Sequence, residues 1–354
     1  MPVTDQVRWG IIGTARIARK AFLPAVAAAG GVVTAVAGRE LARASEYAAA
    51  TGIGRAVQGY QALVDDPDVE ALYIPLPNGL HADWTIRALR AGKAVLCEKP
   101  LCGTLAETEQ VLAVARETRT PLWEAFVFPF HEQMAKVRGL LADGAIGDLR
   151  EIQSNFHFVL NQPDDIRLRR GLAGGALNDV GCYPVRLAVE LLHGELESAW
   201  ATAILGGDGV DVDLQGSLGY SGHQRLTVSC GFQRSDDRFA RLLGTAGQIH
   251  LTDPFHPGPD DSLTLFEEGK EPRGYSSTDE VPSFTAAVRH IQRVVQGQEE
   301  PRHLAVDNSL PTARALDALR EAAAHDLVSG GQVGGGQPGG GQPGRGQPGG
   351  GQPG

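Results

Sequence analysis

Val7-Arg8-Trp9-Gly10-Ile11-Ile12-Gly13-Thr14-Ala15-Arg16-Ile17-Ala18 is the stretch on which the fold of this chain turns. Val7 to Gly13 reads as a first strand running into a turn of small residues. Gly13, Ala15 and Ala18 fall on the three small positions of a dinucleotide-binding turn. Gly13 would permit the tight bend, and Ala15 would let backbone approach a pyrophosphate at the helix N-terminus. Thr14, Arg16 and Ile17 belong to the same turn. Two of the three glycines of that fingerprint are alanine here, and small residues that open a helix also serve plain packing. The motif therefore draws its meaning from the segments C-terminal to it.

Those segments alternate regularly. Short β-branched runs lie at Val32-Val33-Thr34-Ala35-Val36 and Val69-Glu70-Ala71-Leu72-Tyr73-Ile74, and a further apolar run at Ala94-Val95-Leu96-Cys97. Alanine-rich helical stretches sit between them around 16–29, 41–51 and 81–91, and Pro121-Leu122-Trp123-Glu124-Ala125 would complete the set. Strands separated by helix-length segments imply right-handed βαβ units and a parallel sheet. Residues 1–122 are therefore expected to be an α/β Rossmann domain that binds a dinucleotide. The second strand ends Val36-Ala37-Gly38-Arg39-Glu40. An acidic residue at that tip would take the adenosine 2′-hydroxyl and favour NAD. Gly38 instead leaves room for a 2′-phosphate and Arg39 can pair with it, which favours NADP over NAD. The alternative is a solvated Arg39 with Glu40 on the ribose.

From about Leu149 the pattern changes to polar-apolar alternation, as in Glu151-Ile152-Gln153-Ser154-Asn155-Phe156-His157-Phe158 and His223-Gln224-Arg225-Leu226-Thr227-Val228-Ser229-Cys230. Such alternation marks half-buried strands of an open sheet with one face on helices. Helical stretches at Gly175 to Leu192, 282–296 and 307–326 interrupt and follow it. Residues 123–329 are expected to form an α+β substrate and oligomerisation domain with a mostly antiparallel sheet. A partner subunit would cover its open face, giving a homodimer or homotetramer. Residues 330–354 repeat Gly, Gln and Pro, with glutamines at Gln337, Gln342, Gln347 and Gln352. A five-residue period is not collagen's, and a tail with almost no apolar side chains is expected to be disordered.

Composition narrows the function. The 354 residues carry a net charge of -10, which argues against nucleic acid as partner because phosphate binding needs a basic face. No apolar stretch reaches membrane-spanning length, and no charged-then-apolar leader pattern opens the chain. Cys97, Cys102, Cys182 and Cys230 show neither metal-ligand pairs nor a disulfide framework, and a reducing cytoplasm fits them. His250, His256 and His303 lie in different elements without ligand spacing, so no metal site is expected. Of 32 basic residues only five are lysine: Lys20, Lys93, Lys99, Lys136 and Lys270. A lysine that survives such a bias is a candidate for work that needs an ammonium.

Lys99 is the one placed for chemistry. Glu98-Lys99-Pro100 ends the strand run at Cys97, the edge where open α/β sheets hold ligands. Asp179 and Tyr183 lie four residues apart, hence on one face of the expected helix. A phenol can move a hydroxyl proton if its pKa, near 10, is lowered, and an adjacent ammonium such as Lys99 would favour the phenolate. Taken alone, a helix tyrosine is usually core and an aspartate near a helix start is usually a cap.

The ordered set of Rossmann turn, Leu76-Pro77-Asn78 followed by His81, Glu98-Lys99-Pro100, and Gly174-Gly175-Ala176-Leu177-Asn178-Asp179 through Tyr183 resembles the glucose-fructose oxidoreductase/inositol dehydrogenase (Gfo/Idh/MocA) family over residues 5–326. The resemblance implies that Lys99 polarises the reacting oxygen beside the nicotinamide, Tyr183 gives or takes the proton, and Asp179 orients the substrate. It implies that Glu98 and Asn78 line the nicotinamide ribose, with Leu76 beside them. His81 would cap its helix or face the cofactor, and Lys99-Pro100 would be cis. Tyrosine at 183, where inositol dehydrogenases carry histidine, looks more like the dihydrodiol and xylose dehydrogenases and the deoxysugar 3-ketoreductases. Trp123 to Gln133 and Asp165-Ile166-Arg167 resemble the same subgroup. Arg167 would be a substrate clamp or a surface arginine, and His157 a structural strand residue. The implied activity is NADP-dependent hydride transfer at a CH–OH or C=O centre of a sugar-like substrate, either a free aldose or cyclic diol or a nucleotide-linked keto-deoxysugar. A non-catalytic NADP-binding regulator on the same fold is the alternative.

Overall fold

The computed structural model describes residues 6–258, 262–276 and 281–330; the repeat beyond 330, expected to be disordered, lies outside them. Among the described residues two sheets organise the chain. The first is built by β1 (Arg8–Ile12), β2 (Val32–Gly38), β3 (Ala56–Gln58), β4 (Ala71–Ile74), β5 (Ala94–Cys97) and β6 (Leu122–Glu124). They lie in the order β3-β2-β1-β4-β5-β6, every pairing parallel. β4, β5 and β6 are buried at every position, as strands covered on both faces must be.

The crossovers are α1 (Leu23–Ala28), α2 (Leu41–Thr51), α3 (Tyr60–Val64), α4 (His81–Arg90) and α5 (Leu105–Thr118). A π-helical turn, Ala18–Phe22, precedes α1. The strand order reverses between β1 and β4, and the crevice beyond their carboxyl ends is where such sheets hold ligands. α5 opens with a capping box in which Thr104 accepts from Glu107 N while Glu107 accepts from Thr104 N.

After α6 (Glu132–Ala142) the second sheet begins with β7 (Leu149–Val159). A π-helical turn, Leu177–Gly181, runs directly into α7 (Cys182–Leu191). The remaining strands are β8 (Leu196–Leu205), β9 (Asp211–Tyr220), β10 (Gln224–Gly231), β11 (Gln233–Gly244), β12 (Gly247–Leu251), β13 (Ser262–Glu267) and β14 (Arg273–Ser276). The sheet order is β14-β13-β12-β11-β7-β10-β9-β8; β7 and β10 are parallel and all other neighbours antiparallel. One face packs on α7 and on α9 (Ala305–Gly330).

The last two helices return to the first domain. α8 (Ser283–Val295) buries Val288 and Ile291 in one cluster with Trp9, Ile11 and Phe22. Gln292 accepts from Trp9 Nε1 at 3.2 Å and donates to Ala29 O at 2.8 Å. α9 spans both halves, packing on α5 and β6 as well as on α7 and β8. These long-range contacts are invisible to periodicity, which assigns both helices by their place in the chain.

Candidate active site

The cradle at the crevice is bare backbone. Gly13 takes φ +106°, and a Cβ there would lie 2.9 Å from Leu76 Cδ2. Its N–H donates to Ala37 O at 2.8 Å, which locks the turn to β2. At the tip of β2, a Cβ on Gly38 would press 3.0 Å from that of Ala44. Thr14 and Ala15 are half-buried, Arg16 and Ile17 exposed, and Tyr47 Oη donates to Ala15 O at 3.2 Å. Arg39 and Glu40 both project into solvent. Two glycine tips with flanking cations have the shape and charge a dinucleotide phosphate requires, so the residues present fit such a cofactor.

The neighbouring loop is held by hydrogen bonds. Asn78 Nδ2 donates to Ala173 O at 3.0 Å, tying the first domain to the segment before α7. Glu98 accepts from Tyr73 Oη at 2.5 Å. His81 corrects an expectation. Its ring is fully buried, Nδ1 2.8 Å from Pro100 O and Nε2 2.7 Å from Leu76 O. It offers no free nitrogen to a cofactor and no side-chain cap to α4; it clamps two loops of the crevice together. The Lys99-Pro100 peptide is cis.

From this turn Lys99 reaches across to the second domain. Its Nζ donates to Asp179 O and, at 3.1 Å, to Asp179 Oδ1. It also stands 4.9 Å from the centre of the Tyr183 ring. The π-helical turn carries Asp179 and the first turn of α7 carries Tyr183, so one ammonium meets both; π-turns of this kind recur at functional sites. Arg167 Nε donates to Asp179 Oδ2 at 2.7 Å, and Asp165 in turn pairs with Arg167. Arg167, read as clamp or surface residue, is thus a partner of Asp179. Burial would raise the Asp179 pKa, but Lys99 and Arg167 outweigh it and hold the carboxylate ionised. Lys99 is likewise kept protonated: burial opposes its charge, and Asp179 overcomes that.

Tyr183 departs from expectation in its electrostatics. Burial pushes the phenol above its usual value, and Lys99 only partly offsets this, because the ammonium faces the ring and is bonded to Asp179. In this state the phenol is neutral. Its hydroxyl lies 3.3 Å from His256 Nε2, on the loop after β12. Phe126, Phe156 and Phe255 surround its ring at 5.3–5.4 Å between centres. His256 and the aromatic wall escape sequence reading because they arrive from separate strands and loops. The only linear hint of His256 is its place between Phe255 and Pro257.

Behind the Lys99 turn, buried Glu124 accepts from Leu101 N at 2.7 Å and from Ser309 Oγ of α9 at 2.5 Å. Glu124 thereby fixes the turn from below.

Residues 7–126 match the model of an oxidoreductase family with an NAD-binding Rossmann fold, GFO_IDH_MocA, and residues 134–250 match the GFO/IDH/MocA C-terminal domain. A D-xylose 1-dehydrogenase (NADP+) from Haloferax volcanii is 36% identical over 89% of this chain and 97% of that protein. A dTDP-3,4-didehydro-2,6-dideoxy-α-D-glucose 3-reductase from Streptomyces violaceoruber is 39% identical over 90% of this chain and 95% of its own length. Among solved structures, a 3-ketoreductase from Actinomadura kijaniata in complex with NADP and TDP-benzene superposes with a TM-score of 0.81 at 33% identity, covering 90% of this chain and 98% of that one.

Proposed function

This chain belongs to the Gfo/Idh/MocA oxidoreductase family, and from that premise we propose that it is an NADP-dependent enzyme interconverting CH–OH and C=O on a sugar-like substrate. The observation that carries the reading is Lys99, which comes from the dinucleotide-binding domain and meets Asp179 and Tyr183 of the other domain in one cleft. NADP would be held by the turn Gly13-Thr14-Ala15-Arg16-Ile17, by Gly38 and Arg39 at the 2′-phosphate, and by Leu76, Asn78 and Glu98 at the nicotinamide ribose. When bound, it supplies or accepts the hydride.

The chain's own residues handle position and proton. Lys99, fixed as an ammonium, polarises the substrate oxygen. Tyr183, a neutral phenol, donates its proton to that oxygen in reduction. Asp179 keeps Lys99 and Arg167 in place and orients the substrate hydroxyls. The substrate is an aldose, a cyclic diol or a nucleotide-linked keto-deoxysugar; the names of the xylose dehydrogenase and the keto-deoxysugar 3-reductase support the first and last. The protein acts in the cytoplasm as a homodimer or homotetramer. Buried free cysteines and the exposed apolar side chains of β8 support that setting.

Fluorescence titration with NADPH and NADH tests the cofactor, and turnover of Lys99→Ala tests the site. NADPH should bind preferentially, and Arg39→Ala should remove roughly tenfold or more of that preference, as expected for a charge-assisted phosphate contact. Lys99→Ala should lose at least ~10²-fold in turnover while still binding NADPH. NADH preference would refute the Arg39 assignment, and full turnover by Lys99→Ala would refute the mechanism.

A further inference from the structure

We infer that His256 is the proton relay between Tyr183 and solvent, an inference that rests on the proton-transfer role proposed for Tyr183. The problem it solves is topological. Tyr183 is only 8% exposed, so each turnover leaves a buried phenol that must exchange one proton with water. Its ring is walled by Phe126, Phe156 and Phe255, none of which carries protons. Lys99 faces the ring, with Nζ bonded to Asp179. Among the described residues, His256 Nε2, 3.3 Å from the hydroxyl, is the titratable group in reach beside Lys99, and His256 is itself exposed. One residue therefore contacts the buried phenol and also keeps solvent access.

The loop that carries His256 is built to keep it there. Asp253 Oδ1 accepts from Phe255 N at 3.1 Å and from His256 N at 2.9 Å. Asp253 Oδ2 pairs with Arg238 Nη1 of β11 at 2.8 Å. Phe255, fully buried, stacks on Phe156 of β7 at 5.8 Å and anchors the loop to the sheet. The imidazole next in sequence can then swing little from the phenol.

The charges around His256 suit a carrier. Protein packed about the ring lowers its pKa first, followed by Lys99 from the facing domain, Arg238 from β11 and Lys20 from the π-helical turn before α1; Asp236 opposes them. The resting ring is neutral and ready to accept, and an imidazolium formed there gives its proton up quickly. In the oxidising direction the substrate hydroxyl proton moves to Tyr183 Oη as the Tyr183 proton moves to His256 Nε2. The imidazolium then passes its Nδ1 proton to water. The carbon–hydrogen electron pair leaves as hydride in the exchange proposed above, so one hydride and one proton depart and neither Tyr183 nor His256 retains charge. Reduction runs the same transfers backward.

The test compares His256→Ala and His256→Gln with Tyr183→Phe. Loss of the relay should cost each His256 variant about 10²-fold in kcat, the usual scale of acid-base assistance, with KM and NADPH affinity within about twofold of wild type. Added imidazole should restore His256→Ala turnover in proportion to its neutral fraction. A readout independent of turnover is the ¹⁵N resonance of His256 Nε2 in the ligand-free protein, which should move when Tyr183 becomes Phe. Wild-type kcat in His256→Gln would reduce His256 to a hydrogen-bond partner and overturn the relay. Loss without imidazole rescue, or an unmoved Nε2 resonance, would overturn it as well. If Tyr183→Phe keeps its turnover, the role of Tyr183 fails and takes the relay with it. If Tyr183→Phe is inactive and His256→Ala is not impaired, the relay alone fails.

Discussion

Glu190 shows how one ion pair steadies the helix that presents Tyr183. It lies two turns beyond Tyr183 on α7, where Arg186 Nη2 donates to it at 2.7 Å and His303 Nδ1 stands 3.6 Å away. Burial alone would raise its pKa; the His303 contact and Arg186 outweigh this and bring it from 4.5 to about 2. A carboxylate whose folded pKa is depressed stabilises the fold above its unfolded value and loses that contribution as pH falls through the folded one. Glu190 should therefore contribute up to about 3 kcal/mol above pH 5, declining toward pH 2. Melting curves of Glu190→Gln should lie well below wild type at pH 7, narrow the gap by pH 3 and converge only near pH 2; a gap independent of pH would sink the assignment. The scarcity of lysines is a partial guide at this scale. Lys99 does reach the cleft, whereas Lys93 spends its ammonium on Asp66 O at 2.6 Å and Val69 O at 2.7 Å, a purely structural use of a compact donor.

At the scale of elements, the turn into α7 decides where Asp179 stands. Gly175 opens it at φ +114°, and a Cβ there would fall 2.3 Å from Asp211 Oδ1, on the carboxylate whose other oxygen accepts from Leu177 N. Gly175→Ala should cost roughly 2–4 kcal/mol through backbone strain and the displaced carboxylate, and should lower turnover as Asp179 shifts. Thermal melting and kcat measured together check this; a variant matching wild type in both would show the turn to be tolerant. Elements of this kind are unevenly legible in the sequence. β1, β2, β4 and β5 declare themselves because burial on both faces demands apolar runs. β3 has three residues and no periodicity, and β11 starts with Gln233-Arg234-Ser235-Asp236-Asp237-Arg238, a polar run that signals no strand. The linear motifs contain Lys99, Asp179 and Tyr183, but contacts such as His256 on Tyr183 or Arg167 on Asp179 depend on loop geometry that no spacing encodes.

For the whole molecule, the described residues leave one face of the second sheet uncovered. On β8, Trp200 and Ile204 are 55% and 57% exposed on one side, while Ala201 is buried on the other. Side chains of that size on an open sheet are where the proposed homo-oligomer would be joined. Trp200→Glu should lower the molar mass seen by light scattering on a sizing column without weakening NADPH binding, and an unchanged mass would rule this face out as the interface. The return of α8 to the first sheet has a consequence for how the protein is made. Trp9 and Phe22 leave the ribosome long before Val288, Ile291 and Gln292, which cover them. The nascent nucleotide domain must wait, partly uncapped, through the synthesis of the strands of the second sheet, so no stop short of α8 yields a finished half.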